Sequence, residues 1–338
     1  MVISHNFYMN LALHEAWKYQ ILTYPNPAVG ATLISPCGKI LAVEAHQKAG
    51  LPHAEVLALQ QGYFQLTKDE KILELSSSAD IHNYLKEHHN GCFRGCEIYT
   101  TLEPCSHTGK TPSCATLLIE LELAKVYIGA IDKNAVASGG MEMLQAKGIA
   151  VENGVLEQEC EALLFPFYRY LDGRFVFFKW AQRLDGSTND GVISSKASRE
   201  LVHKMRDVCD LLVIGGNTVR VDRPTLDARL CDGRAPDILI YSKSKEFDKT
   251  IPLFDVKNRK VIISDDLSII QDYKCVMIEG SENLFSATRS LIDMHIVFVA
   301  PKMAKSDGFR KIKAEFDILH SQKMDNDILL YMREKDGR

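Results

Sequence analysis

Four side chains in the first third of the chain have the types and spacing of a catalytic metal site. His53 and Glu55 stand in PHAEV, and Cys105 and Cys114 flank a polar loop in TLEPCSHTGKTPSCA. A catalytic zinc takes three protein ligands, commonly Cys or His, and keeps one position for water. We therefore predict that His53, Cys105 and Cys114 bind one Zn²⁺ and that Glu55 carries the protons of a hydrolytic deamination.

The short spacing between His53 and Glu55 restricts how the two side chains can share the site. Side chains two positions apart on a helix diverge by about 200° and cannot bind one ion side by side. If the ion lies over the end of the helix, His53 can ligate it while Glu55 faces the bound water. The signature H-x-E followed by P-C and a second Cys is described for zinc nucleobase deaminases, although here eight residues separate the cysteines. The alternatives are a closed structural zinc site, with His107 as the fourth ligand, or cysteines that are merely buried.

Alternating strands and helices must position these residues. A hairpin-like turn at Pro36-Cys37-Gly38 joins the first two strands, and a helix begins near His53. The polar segment 67–90 is predicted to be a partly helical surface insertion, and its His82, His88 and His89, with Cys92 and Cys96 beyond it, are interpreted as parts of a solvated loop. The alternative for these His and Cys residues is a second metal site. Alternation of this kind predicts an α/β layer structure with a partly parallel sheet. The remaining predicted helices are 5–19, 113–121, 139–147 and 156–172, and the predicted strands are 28–35, 39–44, 97–102, 125–130 and 149–151 in the first half, then FVFFKWA, DLLVIGG, DILIYS, KVIISD, CVMIEG and IVFVAPK.

Length and composition limit the classes of function. A chain of 338 residues is long enough for two domains. The 40 Lys and Arg against 44 Asp and Glu give no basic surface for nucleic acid. No apolar run approaches the roughly 18 residues of a membrane span, and the N-terminus lacks the basic region of a signal peptide. Nine irregularly spaced cysteines favour a reducing cytoplasm over a disulfide framework.

The motifs of the first half resemble the bifunctional deaminase–reductase family of riboflavin biosynthesis. The resemblance rests on YPNPAVG, HQKAGLPHAE and TLEPCSHTGKTPSC, with the eight-residue gap between the cysteines as its most specific feature. It implies a cytidine-deaminase-like three-layer α/β/α domain that acts on a ribosylated diaminopyrimidinone phosphate. By position, Asn26, His46 and Lys48 match substrate-binding residues of the family. The alternatives are a turn residue at Asn26 and a solvated surface lysine at Lys48.

The second half resembles the dihydrofolate-reductase-like, NADPH-dependent reductase domain of the same family. The motifs are LDG, GGNTVRVDRPTLDAR, IEGSENL and VAPK, and no G-x-G-x-x-G is present. The glycines that end two strands allow close backbone approach to a dinucleotide phosphate. By resemblance the substrate contacts are Arg206, Leu226, Arg229 and Glu279, and the cofactor contacts are Ala181, Thr218, Asp222, Ser242, Gly280, Ser281, Asn283 and Leu284. The alternatives are a helix-surface charge at Arg206 and an ordinary turn acid at Asp222. Lys179 and Asp185 stand where the family keeps polar residues.

Three positions of the second half depart from the family pattern. Arg183 replaces a serine before LDG, Val192 replaces a tryptophan, and Ser281 replaces a second glycine after Glu279. An alternative is therefore a deaminase whose C-terminal domain has only a binding or assembly role. The resemblance predicts a deaminase domain over 1–153, a connecting segment over 154–172, a reductase domain over 173–338, and a homo-oligomer.

Overall fold

The chain folds into two compact units, residues 1–168 and 169–338. The computed structural model describes residues 4–107, 112–188, 191–304 and 312–335. The boundary between the units falls inside the predicted connecting segment 154–172. The three domain ranges themselves remain predictions.

A five-stranded mixed sheet forms the centre of the first unit. Its strands are β1 (Gly30–Ile34), β2 (Ile40–Ala45), β3 (Glu97–Leu102), β4 (Lys125–Ala130) and β5 (Ala150–Asn153). The helices are α1 (His5–Trp17), α2 (Ala54–Thr67), α3 (Ser78–His88), α4 (Cys114–Glu120) and α5 (Gly140–Ala146), and a 3₁₀ turn spans Glu70–Glu74. A sixth helix, α6 (Glu157–Leu171), begins in this unit and ends three residues into the second. The strand order is β2-β1-β3-β4-β5, antiparallel from β2 to β3 and parallel from β3 to β5. These elements confirm the strands and helices predicted for this half.

Helices α1 and α2 cover opposite faces of this sheet. A Cβ at Gly30 of β1 would lie 2.0 Å from the carbonyl oxygen of Ala12 in α1, so the close approach of this helix requires glycine. On the other face, a Cβ at Gly62 of α2 would lie 2.3 Å from Cδ2 of Leu33. Gly30 and Leu33 are three positions apart on one strand and therefore point to opposite faces. The predicted three-layer α/β/α arrangement is confirmed.

The predicted insertion is helical, but it is not solvated throughout. Its helix α3 places Ser78, Ile81, His82 and Leu85 on one buried face, because residues spaced three and four apart share a side of a helix. That face packs against α2 and α4. The interpretation of the His and Cys residues as parts of a solvated loop is therefore wrong for His82 and for Cys96, which are buried, while His88 is exposed.

An eight-stranded sheet forms the centre of the second unit. The strands are β6 (Phe175–Arg183), β7 (Leu211–Gly215), β8 (Asp237–Tyr241), β9 (Val261–Ser264), β10 (Cys275–Glu279), β11 (Met294–Ala300), β12 (Phe316–Met324) and β13 (Asp327–Glu334). The helices are α7 (Lys196–Val208), α8 (Gly216–Asp222) and α9 (Glu282–Thr288). The strand order is β12-β13-β11-β6-β10-β7-β8-β9. The six strands from β11 to β9 are parallel, so their carboxyl ends meet at one edge, where open α/β sheets bind ligands.

The C-terminal hairpin of β12 and β13 is the part of the sheet that the sequence pattern missed. Its strands pair antiparallel with each other, and β13 pairs antiparallel with β11. Most residues of the edge strand β12 are partly or fully exposed, so FDILHSQKM lacks the apolar run of a buried strand. The remaining strands confirm the predicted α/β class for both units. Among the described residues, no helix combines the length and apolar character that crossing a membrane requires.

Candidate metal centre and reductase site

Three side chains of the first unit converge into a group with the composition of a zinc site. The ligand atoms of His53, Cys105 and Cys114 all lie within 4.8 Å of one another. His53 Nδ1 is 3.4 Å from the sulfur of Cys114 and 3.8 Å from the sulfur of Cys105. His107, the alternative fourth ligand, is exposed and outside this group. Residues 108–111 of the intervening loop lie outside the described residues.

The ends of two helices position these ligands. His53 is the extended N-cap residue of α2, and Cys114 is the first residue of α4. Ser113 caps α4 by accepting a hydrogen bond from the N–H of Thr116, and its hydroxyl donates to the carbonyl of Cys105 at 2.8 Å. The N–H of Cys114 donates to the sulfur of Cys105 at 3.4 Å. His53 therefore lies at the end of α2, and the position of an ion over this helix end stays a prediction.

Glu103 anchors the loop that carries Cys105, a role that sequence reasoning missed. One oxygen of its buried carboxylate accepts from the N–H groups of Gly139 at 3.0 Å and Met141 at 2.9 Å, and the other accepts from the N–H of Asp132 at 3.1 Å. A Cβ at Gly140 would lie 1.8 Å from the carbonyl oxygen of Pro104, so glycine is required for the two segments to pack this closely. The signal available in the sequence was an acidic residue directly before Pro-Cys.

The electrostatics of Glu55 and of the sulfur atoms differ from those of solvated groups. Glu55 is 4% exposed, and burial raises the pKa of its carboxyl to about 7, with the thiolate of Cys105 acting in the same direction. The hydrogen bond from the Cys114 thiol lowers the pKa of Cys105, whereas the same bond and burial raise the pKa of Cys114. Glu55 also hydrogen-bonds Cys114. Its carboxylate is therefore adjacent to the ligand group.

Two of the predicted substrate-binding residues meet beside the metal ligands. Asn26 Nδ2 is 3.1 Å from His46 Nε2, and the two His rings at 46 and 53 are in edge contact with centroids 5.4 Å apart. Burial lowers the pKa of His46 to about 4. Lys48 follows two positions later and is exposed.

The predicted substrate residues of the second unit surround Glu279, the last residue of β10. Its Oε1 accepts from Lys179 Nζ at 2.9 Å, and its Oε2 accepts from Arg206 Nη2 at 2.8 Å. Burial opposes ionisation of Glu279, but the two cations outweigh it and hold the pKa of the carboxyl well below its usual range. The sequence pattern predicts only a polar residue at Lys179. The structure brings it into the same ionic group as Arg206.

The loop that carries Leu226 and Arg229 lies beside this group. Arg206 Nη1 donates to the carbonyl of Asp227 at 3.3 Å, and Arg229 pairs with the Asp227 carboxylate at 2.6 Å. Arg259 fixes this loop by donating hydrogen bonds to the carbonyl oxygens of Thr225, Leu226 and Leu253 at 2.6 to 2.8 Å. The predicted substrate-binding residues of this unit therefore lie close together.

The predicted cofactor residues follow the carboxyl ends of adjacent parallel strands. Thr218 lies in α8 directly after β7, Ser242 follows β8, and Gly280 follows β10. A Cβ at Gly280 would lie 2.8 Å from Leu284, which turns back onto it. The other predicted members are Ala181 near the end of β6, Ser281 and Asn283, which are exposed at the start of α9, and Asp222 at the last position of α8.

Comparison with known proteins decides the family. Residues 3–130 match the family described as the cytidine and deoxycytidylate deaminase zinc-binding region, and residues 174–330 match the RibD C-terminal domain. The riboflavin biosynthesis protein RibD of Aquifex aeolicus is 32% identical over an alignment of 340 positions, which covers 88% of this chain and 86% of that protein. The RibD of Chlamydia trachomatis is 35% identical over an alignment of 350 positions, which covers 89% of this chain and 86% of that protein. The chain belongs to the RibD family.

Solved structures of the RibD family share the fold of the whole chain. A deaminase/reductase from Thermotoga maritima has a TM-score of 0.67 at 28% identity, covering 97% of this chain and 98% of its own. RibD from Acinetobacter baumannii has a TM-score of 0.63 at 25% identity, covering 98% and 99%. The chain is thus a bifunctional enzyme of riboflavin biosynthesis, a zinc-dependent deaminase and an NADPH-dependent reductase.

The residues of this RibD family member fit both a catalytic zinc ion and an NADPH cofactor. Two sulfurs and one imidazole nitrogen within 4.8 Å match the three-ligand set of a catalytic zinc. Gly215 has no side chain and Ser281 makes no side-chain capping bond, so no N-cap side chain occupies the first backbone N–H groups of α8 and α9.

The departures from the RibD family pattern have different structural consequences. Arg183 is buried, and its Nη1 donates to Ser187 at 3.3 Å, so it packs within its own turn. Val192 is exposed in a loop whose residues 189–190 lie outside the described residues. The ionic group of Glu279, Lys179 and Arg206 is present in this chain.

Proposed function

We propose that the deaminase unit acts on 2,5-diamino-6-(ribosylamino)-4(3H)-pyrimidinone 5′-phosphate and releases ammonia. The reductase unit then reduces the ribosyl group of 5-amino-6-(5-phosphoribosylamino)uracil to ribityl with NADPH. The observation that carries the proposal is the group of His53, Cys105 and Cys114 with the Glu55 carboxylate beside it. The name of the Thermotoga maritima protein, a diaminohydroxyphosphoribosylaminopyrimidine deaminase/5-amino-6-(5-phosphoribosylamino)uracil reductase, supports the choice of substrates.

In the deaminase unit, His53, Cys105 and Cys114 would hold the zinc and Glu55 would move the protons. Zinc bound by this set supplies a Lewis acid that lowers the pKa of a coordinated water. Glu55 would take the two protons of the attacking water in turn and deliver one to the ring nitrogen and one to the leaving amine. Water and the amidine become a carbonyl and ammonia. The raised pKa of Glu55 suits this task, because a carrier that titrates near neutral pH can both accept and return a proton.

Asn26 and Lys48 would orient the substrate in this unit. Asn26 is half-buried beside the ligands and would contact the pyrimidine. Lys48 is exposed, and its ammonium would bind the ribose phosphate. His46 is predicted as a third substrate contact, and both of its ring nitrogens have partners within the protein.

In the reductase unit, Arg206, Leu226, Arg229 and Glu279 would bind the substrate. NADPH supplies the hydride, and the task of the protein is orientation and exclusion of water. Glu279 stays ionised between Lys179 and Arg206 and can accept hydrogen bonds from ribose hydroxyls. The planar guanidinium of Arg229 suits the phosphate, because its fork pairs bidentately with phosphate oxygens.

The cofactor would lie along the carboxyl ends of β6, β10, β7 and β8. Ala181, Thr218, Asp222 and Ser242 would contact it from three of these strand ends, and Gly280, Ser281, Asn283 and Leu284 from the fourth. This placement follows the rule that open α/β sheets bind ligands at this edge. We also propose a cytoplasmic homo-oligomer that takes small-molecule substrates and no nucleic acid, in keeping with the absence of a basic excess.

Separate assays of ammonia release and NADPH consumption test this function. Replacing Glu55 by Gln should retain zinc and folding but lower the deaminase kcat by at least a hundredfold, because the proton carrier is lost. NADPH consumption with the deaminated intermediate should be unchanged in this variant. Persistent deamination would refute the role of Glu55. A folded wild-type protein that never consumes NADPH would favour the alternative of a non-catalytic second domain.

A further inference from the structure

The imidazole of His46 determines how the side chain of Asn26 is presented to the substrate. We infer that His46 is a positioning residue of the deaminase site, which holds the Asn26 amide with its oxygen directed away from the ring and available to the pyrimidine. The inference deepens the proposed function and rests on it for the identity of the substrate. It replaces the expectation that His46 itself makes a polar contact with the substrate.

The tautomer of His46 follows from its first hydrogen bond. His46 Nδ1 lies 3.0 Å from the carbonyl oxygen of Pro52. A carbonyl oxygen can only accept, so Nδ1 must carry the proton. In a neutral imidazole the other nitrogen, Nε2, then has a lone pair and can only accept.

The orientation of Asn26 follows from the second hydrogen bond. His46 Nε2 is 3.1 Å from Asn26 Nδ2, and an accepting nitrogen requires the donating end of the amide at this position. The amide oxygen of Asn26 is therefore the opposite atom, and it accepts no hydrogen bond from the described residues. An N–H group of an aminopyrimidinone is the complementary donor. The arrangement selects for a substrate that donates a hydrogen bond at this point.

The backbone on both sides of this pair is fixed as well. The hydroxyl of Thr23 donates to the carbonyl of Asn26 at 3.0 Å, and the N–H of Asn26 donates to the carbonyl of Thr23 at 2.9 Å. On the other side, Pro52 directly precedes the ligand His53. One imidazole thus connects the turn that carries Asn26 to the residue before the metal ligand.

The burial of His46 excludes a polar role toward the substrate. The residue is 2% exposed, and both ring nitrogens are occupied by protein partners. A polar contact with the substrate would require breaking one of these two bonds. The ring therefore acts through Asn26.

Two substitutions of His46 separate its two hydrogen bonds. His46→Asn places an amide nitrogen near the position of Nδ1, so it can donate to Pro52 but cannot reach Asn26. His46→Gln extends to the position of Nε2, where its oxygen can accept from Asn26. We expect His46→Asn to raise KM about five- to tenfold, the equivalent of one neutral hydrogen bond, with kcat and zinc content nearly unchanged. His46→Gln should restore KM to within about twofold of wild type.

A double-mutant cycle with Asn26→Ala tests whether His46 acts through Asn26. If it does, adding His46→Asn to the Asn26→Ala protein should change KM less than about twofold. Independent, multiplicative increases in KM would show a direct contact between His46 and the substrate and would overturn the inference. A KM of the His46→Gln protein as high as that of the His46→Asn protein would also overturn the inference.

A spectroscopic measurement distinguishes failure of the inference from failure of the proposed function. In the zinc-loaded, full-length protein, ¹⁵N chemical shifts of His46 should report the tautomer with the proton on Nδ1 at neutral pH. A protonated Nε2 would overturn the inference whatever the substrate. If wild type did not deaminate the proposed substrate but the Nδ1-protonated tautomer were observed, the substrate assignment alone would fail.

Discussion

Replacing Glu103 by Gln should weaken zinc binding without altering any ligand. The Glu103 carboxylate accepts three backbone hydrogen bonds and joins the segment before Cys105 to residues 132–141. A glutamine has nearly the same shape but carries an NH₂ group in place of one oxygen. In either orientation of the amide, that NH₂ group faces at least one backbone N–H that previously donated to an oxygen.

The expected magnitude follows from those three bonds. Hydrogen bonds to a charged acceptor contribute about 1.5–3 kcal/mol each, neutral ones about 1 kcal/mol, and a buried donor left unsatisfied costs about 1–3 kcal/mol. Losing one bond and weakening the others should lower the free energy of unfolding of the first unit by about 3 kcal/mol. Displacement of Cys105 should weaken zinc affinity by about 10- to 100-fold, as for other groups that support metal ligands.

Chelator competition measures the zinc affinity, and denaturant unfolding measures stability. Glu142→Gln is the matched control, because Glu142 lies on α5 nearby but is exposed. The reductase activity of the Glu103→Gln protein provides an internal control, since the substitution lies in the other unit. Wild-type zinc affinity in a Glu103→Gln protein would refute the view that this carboxylate positions Cys105.

Two predictions concern the second unit. His295 is buried among aromatic rings, and burial lowers its pKa from 6.5 to about 4, so the unfolded chain binds a proton in this range that the folded chain does not. The free energy of unfolding should therefore fall as the pH drops from about 6.5 to about 4, by up to about 3 kcal/mol more in the wild type than in His295→Leu. If the free energies of unfolding of the two proteins changed with pH in parallel, this prediction would be contradicted. Arg259→Lys should raise the reductase KM for its pyrimidine substrate about tenfold and leave deamination unchanged. The compact ammonium lacks the planar fork whose two terminal nitrogens span the carbonyls of Thr225, Leu226 and Leu253. An unchanged KM would show that this loop does not depend on Arg259.

The predicted metal centre could be found in the sequence because its residues belong to short motifs. Cys105 and Cys114 bracket a single loop, and His53 begins a helix whose apolar pattern is continuous, so local rules placed each near a helix or strand end. Buried parallel strands were equally evident, since β7, β8 and β10 are near-continuous apolar runs bounded by polar residues or glycine. The hairpin of β12 and β13 was missed because a half-exposed edge strand has a mixed composition.

In the insertion 67–90, the spacing of the apolar residues predicts a buried helix face, but the polar composition favoured a solvated loop. The polar composition of 67–90 suggested solvent, yet α3 concentrates its few apolar residues on the side that packs against α2 and α4. His82 lies on that same side and is buried with them. Composition averages over both faces of a helix, whereas burial depends on one.

By itself, the sequence determined which residue types could bind zinc, which segments would form the buried strands, and that two domains would follow one another. Only the tertiary structure decided that Glu279 would lie between Lys179 and Arg206, which are separated from it by 100 and 73 positions along the chain. It also decided which end of the Asn26 amide would meet His46. Local propensity depends on a few neighbouring residues, but the direction of a hydrogen bond and the ionisation of a buried carboxyl depend on groups that only folding brings together.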